Sequence, residues 1–169
     1  LTSARLLEVP CAVVPATISN NVPGTEVSIG CDTALDQIAI ALDGLRQSAM
    51  GSSDRVFFVE VMGARCGYLA RTALVIGGAD LVYTHEDPPD LPRIHADIEA
   101  MRHRIEAVGV GLVVVSDGLE APWDSRTLAK LFESGADGVF DTRVCVLGHL
   151  QQGSHPSARD RVLAARLAN

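Results

Sequence analysis

Short apolar, β-branched runs alternate along this chain with longer segments in which apolar residues recur every three or four positions. Successive strand-helix-strand units feeding a parallel sheet leave that pattern, so the fold class is α/β. A first strand is expected at Cys11 to Val14, followed by a polar loop running through Gly30. Beyond it, Ala34, Leu35, Ile38, Ala41, Leu42 and Leu45 make one apolar face of a helix with Asp32 near its start. Val56 to Val61 is almost continuously apolar and reads as a strand buried on both faces. It runs into Met62-Gly63-Ala64-Arg65-Cys66-Gly67, ahead of a helix from Tyr68 that Gly77-Gly78 stops.

The second half continues the alternation. Leu81 to Tyr83 is a short strand, and the proline-rich stretch His85 to Pro92 is a stiff connection before a helix over Ile94 to Val108. Leu112 to Val115 is a second buried strand, followed by a helix at Thr127 to Ser134, a strand at Val144 to Leu147 and a last helix at Ala158 to Leu167. No repeat, low-complexity tract or linker interrupts the series.

Composition narrows the class. The chain has 169 residues, 47% of them hydrophobic, which supplies an ordinary core and excludes a disordered polymer. Its longest apolar runs fall far short of the roughly 20 residues that cross a bilayer, so no membrane span is expected. The first ten residues hold Arg5 and Glu8 and no long apolar stretch, so the expectation is a cytoplasmic protein without a signal peptide. A formal charge of −7 with no basic cluster argues against nucleic acid as a partner. Cys11, Cys31, Cys66 and Cys145 lie far apart and read as buried free thiols rather than a zinc site or disulfide framework. The histidines make no metal pattern, and His95 and His103 fall on exposed helix positions.

Candidate chemistry lies where strands run into loops. Ser19-Asn20-Asn21, Met62-Gly63, Ser116-Asp117 and Gly148-His149 each follow an expected strand, and the carboxyl ends of a parallel sheet are where such folds place ligands. Four junctions together point to one composite site. Gly63 and Gly67 bracket a tight turn entering a helix, whose N-H groups could hold a phosphate or sugar oxygen. Gly109-Val110-Gly111 precedes a strand, the wrong side for nucleotide binding. Arg55 and Arg143 sit at strand edges, and guanidinium groups bind phosphate in bidentate geometry.

Four stretches in order carry a family resemblance: Pro15 to Thr25 (PATISNNVPGT), Ile29 to Leu35 (IGCDTAL), Val59 to Tyr68 (VEVMGARCGY) and Val146 to Gly153 (VLGHLQQG). From Ala12 onward the chain resembles the ATP-dependent 6-phosphofructokinase family. The resemblance implies a three-layer α/β/α fold with a mostly parallel sheet, here part of a half-subunit. It implies that residues 1–30 and 149–169 belong to a nucleotide-side lobe and residues 31–148 to a sugar-phosphate or effector-side lobe. By motif, Thr17, Ser19, Asn20 and Asn21 would line the sugar site, and Met62, Gly63 and Ala64 would supply backbone contacts. His149, Leu150, Gln151 and Gln152 would close the far side. Asp117 matches an acidic sugar-hydroxyl ligand that is usually Glu, and Arg55 and Arg143 match arginines delivered to the phosphate across a subunit or half interface.

Active halves of the family read Thr-Ile-Asp-Asn-Asp in the first motif, whereas this chain has Ser19 and Asn21 at the acidic positions. Losing a general base costs roughly 10²–10⁴-fold in rate. No catalytic residue and no metal site is therefore assigned. Ser-Asn-Asn resembles instead the C-terminal half of the duplicated eukaryotic enzymes, whose former sugar site is regulatory and takes fructose 2,6-bisphosphate. Arg is also missing at Ala64 and Gln152, and Ser154-His155-Pro156 replaces the usual Gly-Ser-Pro. The family's Gly-rich ATP loop is not in this sequence, so Mg and ATP are expected for the parent enzyme and not for this chain alone. Expected partners are a sugar phosphate or bisphosphate and the other half and subunits of an oligomer. An atypical ATP- or diphosphate-dependent catalytic half using Asp117 as base, and a ligand-free structural half, are the alternative readings.

Overall fold

A computed structural model describes residues 12–51 and 54–168. Among these residues, four strands form one parallel sheet: β1 (Arg55–Val61), β2 (Leu81–Tyr83), β3 (Val110–Ser116) and β4 (Asp141–Val146), in the order β2-β3-β1-β4. Five α-helices surround it: α1 (Cys31–Met50), α2 (Tyr68–Ile76), α3 (Leu91–Val108), α4 (Ser125–Gly135) and α5 (Ala158–Ala168). The three-layer α/β/α arrangement follows from the pleat of the two central strands. Phe57, Val59 and Val61 of β1 join Leu112 and Val114 of β3 against α1 and α2. Val56 and Phe58, with Val113 and Val115, pack on the other face against α3 and α4. Both faces of β1 and β3 are thus sealed, which is why these strands read as apolar runs.

Helix ends obey local chemistry. Asp90 caps α3 by accepting a hydrogen bond from the Arg93 amide at 2.8 Å, with Pro92 in the first turn where no N-H is needed. The helix therefore starts three residues before the expected Ile94. Asp124 caps α4 in the same way through the Thr127 amide at 2.7 Å, moving that start from Thr127 to Ser125. α5 is tied to α1 by a buried polar knot. The Asp160 carboxylate accepts from the Thr33 amide and hydroxyl at 2.9 and 2.5 Å, and Ser157 donates to Asp32 at 2.6 Å. Asp160 is 1% exposed, and its charge lies against the first turn of α1, where helix amides favour an anion.

Several expectations need correcting. Residues 12–14 form no strand, and Cys11 lies outside the described residues. Val13 and Val14 are exposed, and among the described residues the backbone nearby makes a single bridge, Ala16 to Ile29, with no ladder to hold the segment extended. Among the described residues the polar loop consequently follows no strand. β4 begins at Asp141, placing Arg143 inside the strand rather than at its edge, and a 3-10 turn over Gly148–Gln151 follows it. Val110 and Gly111 belong to β3 itself, while Gly109 ends α3. Cys31 is buried as expected, but Cys66 and Cys145 are only half-buried.

Candidate functional site

In a parallel sheet all strands finish at one end, and here β1, β2, β3 and β4 deliver Met62, Thr84, Asp117 and Leu147 to that end. The turn after β1 is the centre of the cluster. Cys66 N donates to Gly63 O at 3.0 Å, and Ala64 and Arg65 between them have φ of 49° and 63°. Two consecutive non-glycine residues in the left-handed region are costly and persist only where neighbours hold them. Gly63 itself is required by contact, because a Cβ there would lie 2.2 Å from Cys66 O.

Three other elements hold this turn by its amides. Met62 N donates to Gln151 Oε1 at 2.9 Å, Ala64 N to Asp117 Oδ1 at 3.0 Å, and Gly67 N to Glu86 Oε1 at 2.7 Å. Burial pushes the Asp117 carboxyl up from its usual range, with the nearby Glu60 carboxylate adding to the rise, while the Ala64 and Gly63 amides pull it down. For Glu86 burial also pushes upward, but the amides of Gly67 and Glu86, the Thr84 hydroxyl and Arg71 outweigh it and hold the carboxyl below its usual range. Sequence reading passed over Glu86 as part of a stiff connection. Its position just after β2 was the available signal, since that strand ends on the same edge as the others.

The polar loop is pinned largely by its own side chains. Asn20, with φ of 52°, accepts from the Ser28 amide at 2.8 Å and donates to Glu26 O at 3.0 Å. Ser28 Oγ donates to Thr17 O at 2.7 Å, and the Thr17 hydroxyl accepts from the Ser19 amide at 3.3 Å. Ser19 is 7% exposed while Asn21 lies open to solvent. Asn20 thus serves as the loop's clasp, while Asn21 is an exposed residue of the loop.

The remaining expected residues divide. His149, Leu150 and Gln152 are exposed, but Gln151 is buried behind the Met62 turn. Gln151 lines a cleft of about 160 Å³ together with Ile18, Gly30 and Thr33, which brings the polar loop's inner side and the 149–152 segment together. Arg55 lies at the opposite end of the sheet, as the first residue of β1. Arg143 lies midway along the exposed edge strand, in register with Phe57, and its guanidinium donates to Thr142 O at 2.7 Å. The chain does not bring these two arginines to its own cluster.

The donor set decides what the loop can hold. Residues 15–25 contain no carboxylate, and magnesium is usually held through carboxylate oxygens, so this loop does not fit Mg²⁺. Among the described residues, no group of three His, Cys, Asp or Glu side chains is placed to hold a metal ion, and no helix is long and apolar enough to cross a membrane. What the loop does present is hydroxyl and amide groups, which donate and accept without charge.

Comparison with known proteins places this arrangement. The family model described as phosphofructokinase matches residues 1–169. An ATP-dependent 6-phosphofructokinase of Schistosoma mansoni is 46% identical over 162 residues, covering 95% of this chain and 21% of that protein. The platelet-type ATP-dependent 6-phosphofructokinase of Homo sapiens is 40% identical over 161 residues, 95% of this chain and 20% of that protein. The structure of phosphofructokinase from Saccharomyces cerevisiae superposes with a TM-score of 0.88 at 38% identity, covering 92% of this chain and 21% of that one. The chain therefore spans about a fifth of the length of these relatives.

Proposed function

Since the chain belongs to the phosphofructokinase family, we propose that it is part of a 6-phosphofructokinase and that its polar loop forms a regulatory site for fructose 2,6-bisphosphate rather than a catalytic one. The parent would phosphorylate fructose 6-phosphate with Mg-ATP. The observation that carries the reading is that residues 15–25 of the polar loop hold no acid: Ser19 and Asn21 stand where active halves of the family have acids. A neutral hydroxyl does not serve as a carboxylate base near neutral pH, whereas an acid-free stretch spares a bisphosphate the repulsion that two carboxylates would exert.

Residues would divide the work as follows. Thr17, Ser19 and Asn21 meet sugar hydroxyls or a phosphate with neutral donors and acceptors. His149 and Gln152 close the side next to the Met62 turn. Arg55 and Arg143, which lie away from this chain's own cluster, would serve the phosphate of a neighbouring half or subunit. Residues 1–30 and 149–169 would belong to a nucleotide-side lobe. In support, Gly24, Thr25 and Val27 form with Arg159, Leu163 and Arg166 of α5 a separate cleft of about 410 Å³.

The test is to put the charge back. Ser19→Asp in the protein that carries this chain should weaken fructose 2,6-bisphosphate binding by about tenfold or more, since it sets a carboxylate against the ligand's phosphates. Unchanged affinity would contradict the proposal, and loss of sugar-phosphate turnover at this site would instead favour a catalytic half.

A further inference from the structure

Two buried polar groups lie behind the candidate site with one end of each left over. Gln151 and Asp160 are both 1% exposed, and among the described residues Gln151 Nε2 and Asp160 Oδ1 have no hydrogen-bond partner. Their other atoms are committed. Gln151 Oε1 accepts from the Met62 amide at 2.9 Å, and Asp160 Oδ2 accepts from the amide and hydroxyl of Thr33 at 2.9 and 2.5 Å. A buried amide donor or carboxylate oxygen loses its hydration on folding, so native proteins almost always give it a partner. Both residues line the same cleft of about 160 Å³, with Ile18, Gly30, Thr33 and Ser154 around them.

The pair of atoms defines what the cleft takes. Gln151 offers an N-H donor and Asp160 a carboxylate acceptor. A cation would suit Asp160 but cannot accept from the Gln151 amide, and an anion would accept from the amide but be repelled by the carboxylate. A hydroxyl does both. We propose that the cleft is a site for one ordered water, bridging Gln151 Nε2 to Asp160 Oδ1, and that Asp160 is thereby a positioning residue for the Met62 turn. The cleft is larger than the share of about 30 Å³ that a water takes, and a buried water is held by two to four polar partners, of which these are two. The contacts then run unbroken from α5 through Asp160, the water and Gln151 to the amide of the first residue after β1. They reach α1 as well, because Ser157 donates its hydroxyl to Asp32 and its amide to the Thr33 hydroxyl. The bridge does not depend on what the candidate site binds.

Crystals of the protein that carries this chain, grown without sugar phosphate and at a resolution that shows ordered solvent, should hold a water within about 3.2 Å of both Gln151 Nε2 and Asp160 Oδ1. Hydrogen exchange at the Met62 amide, read by mass spectrometry on overlapping peptides, tests the positioning role. Gln151→Ala removes the acceptor itself and should speed exchange by about tenfold. Asp160→Ala, acting through the water and Gln151, should speed it by about fivefold. Thr33→Val removes one of the two donors to Asp160 Oδ2 but leaves Oδ1 to the water, so exchange should stay within about twofold of the original. Equal acceleration in Thr33→Val and Asp160→Ala would mean that Asp160 only anchors α5, and would overturn the positioning role. The bridge is overturned by a cation or no water on the pair, by a hydroxyl there only once a sugar bisphosphate is added, or by unchanged Met62 exchange in Asp160→Ala. Should Asp160→Ala fail to fold, the structure of the unaltered protein decides alone. None of these readings needs a sugar to bind, so they stand apart from any failure of the proposed effector site.

Discussion

Individual side chains at the carboxyl end of the sheet do more holding than reaching. Gln151, Asp117 and Glu86 each take one amide of the Met62-to-Gly67 turn, and Asn20 clasps its own loop. The sequence shows these residue types beside the right strands, yet it does not show which way a side chain faces, and that separates Gln151 from His149 and Gln152. Titration follows from the same contacts. Glu86 and Asp124 are held below the ordinary carboxyl range, so each adds stability that is full above its ordinary value and lost as pH falls through the lowered one. Asp117 acts in the opposite sense, since a raised carboxyl pKa makes the folded state less favoured as pH rises from 3.8 through the raised value. Melting temperature measured between about pH 3 and pH 6 should accordingly fall on the acid side, and Glu86→Gln should flatten that limb. A steeper acid limb in Glu86→Gln would contradict the assignment.

At the level of elements, periodicity was a good guide to what exists and a poorer one to where it stops. α1 and β1 stand out in the sequence because one has a long apolar face and the other is buried on both sides. Capping aspartates moved the starts of α3 and α4, and a chemical rule about Asp90 and Asp124 would have found both. The strand expected at Cys11 to Val14 failed for a different reason. A strand needs a partner, and among the described residues no neighbouring strand pairs with 12–14. Packing across the sheet gives the sharpest stability test. Phe58 is fully buried and meets Phe132 of α4 edge to face, with ring centroids 5.0 Å apart. Phe58→Ala should cost about 3–5 kcal/mol in chemical denaturation, whereas Asp124→Ala, which removes one cap, should cost about 1 kcal/mol. Comparable losses from the two would mean that the α4 face of the sheet is not the core it is taken to be.

The whole molecule explains what neither scale shows alone. Arg55 and Arg143 look like phosphate ligands in the sequence, but the strand order places them at the start of β1 and along the exposed edge strand β4. Their distance from the Met62 turn is a consequence of strand direction, which composition and spacing do not reveal. Under the proposed function each would act on a neighbour. In a mixed assembly, Arg143→Ala chains should then lower effector binding in sites whose own loop is intact; a defect confined to the mutated chain's own site would argue against sharing. The central claim is that the acid-free stretch of the loop binds a sugar bisphosphate without transferring a phosphoryl group. Calorimetric titration of fructose 2,6-bisphosphate into the assembled protein, with any catalytic half disabled, tests it most directly. The account predicts a saturable heat that Ser19→Asp and Arg143→Ala each diminish; no heat from the unaltered protein would contradict it.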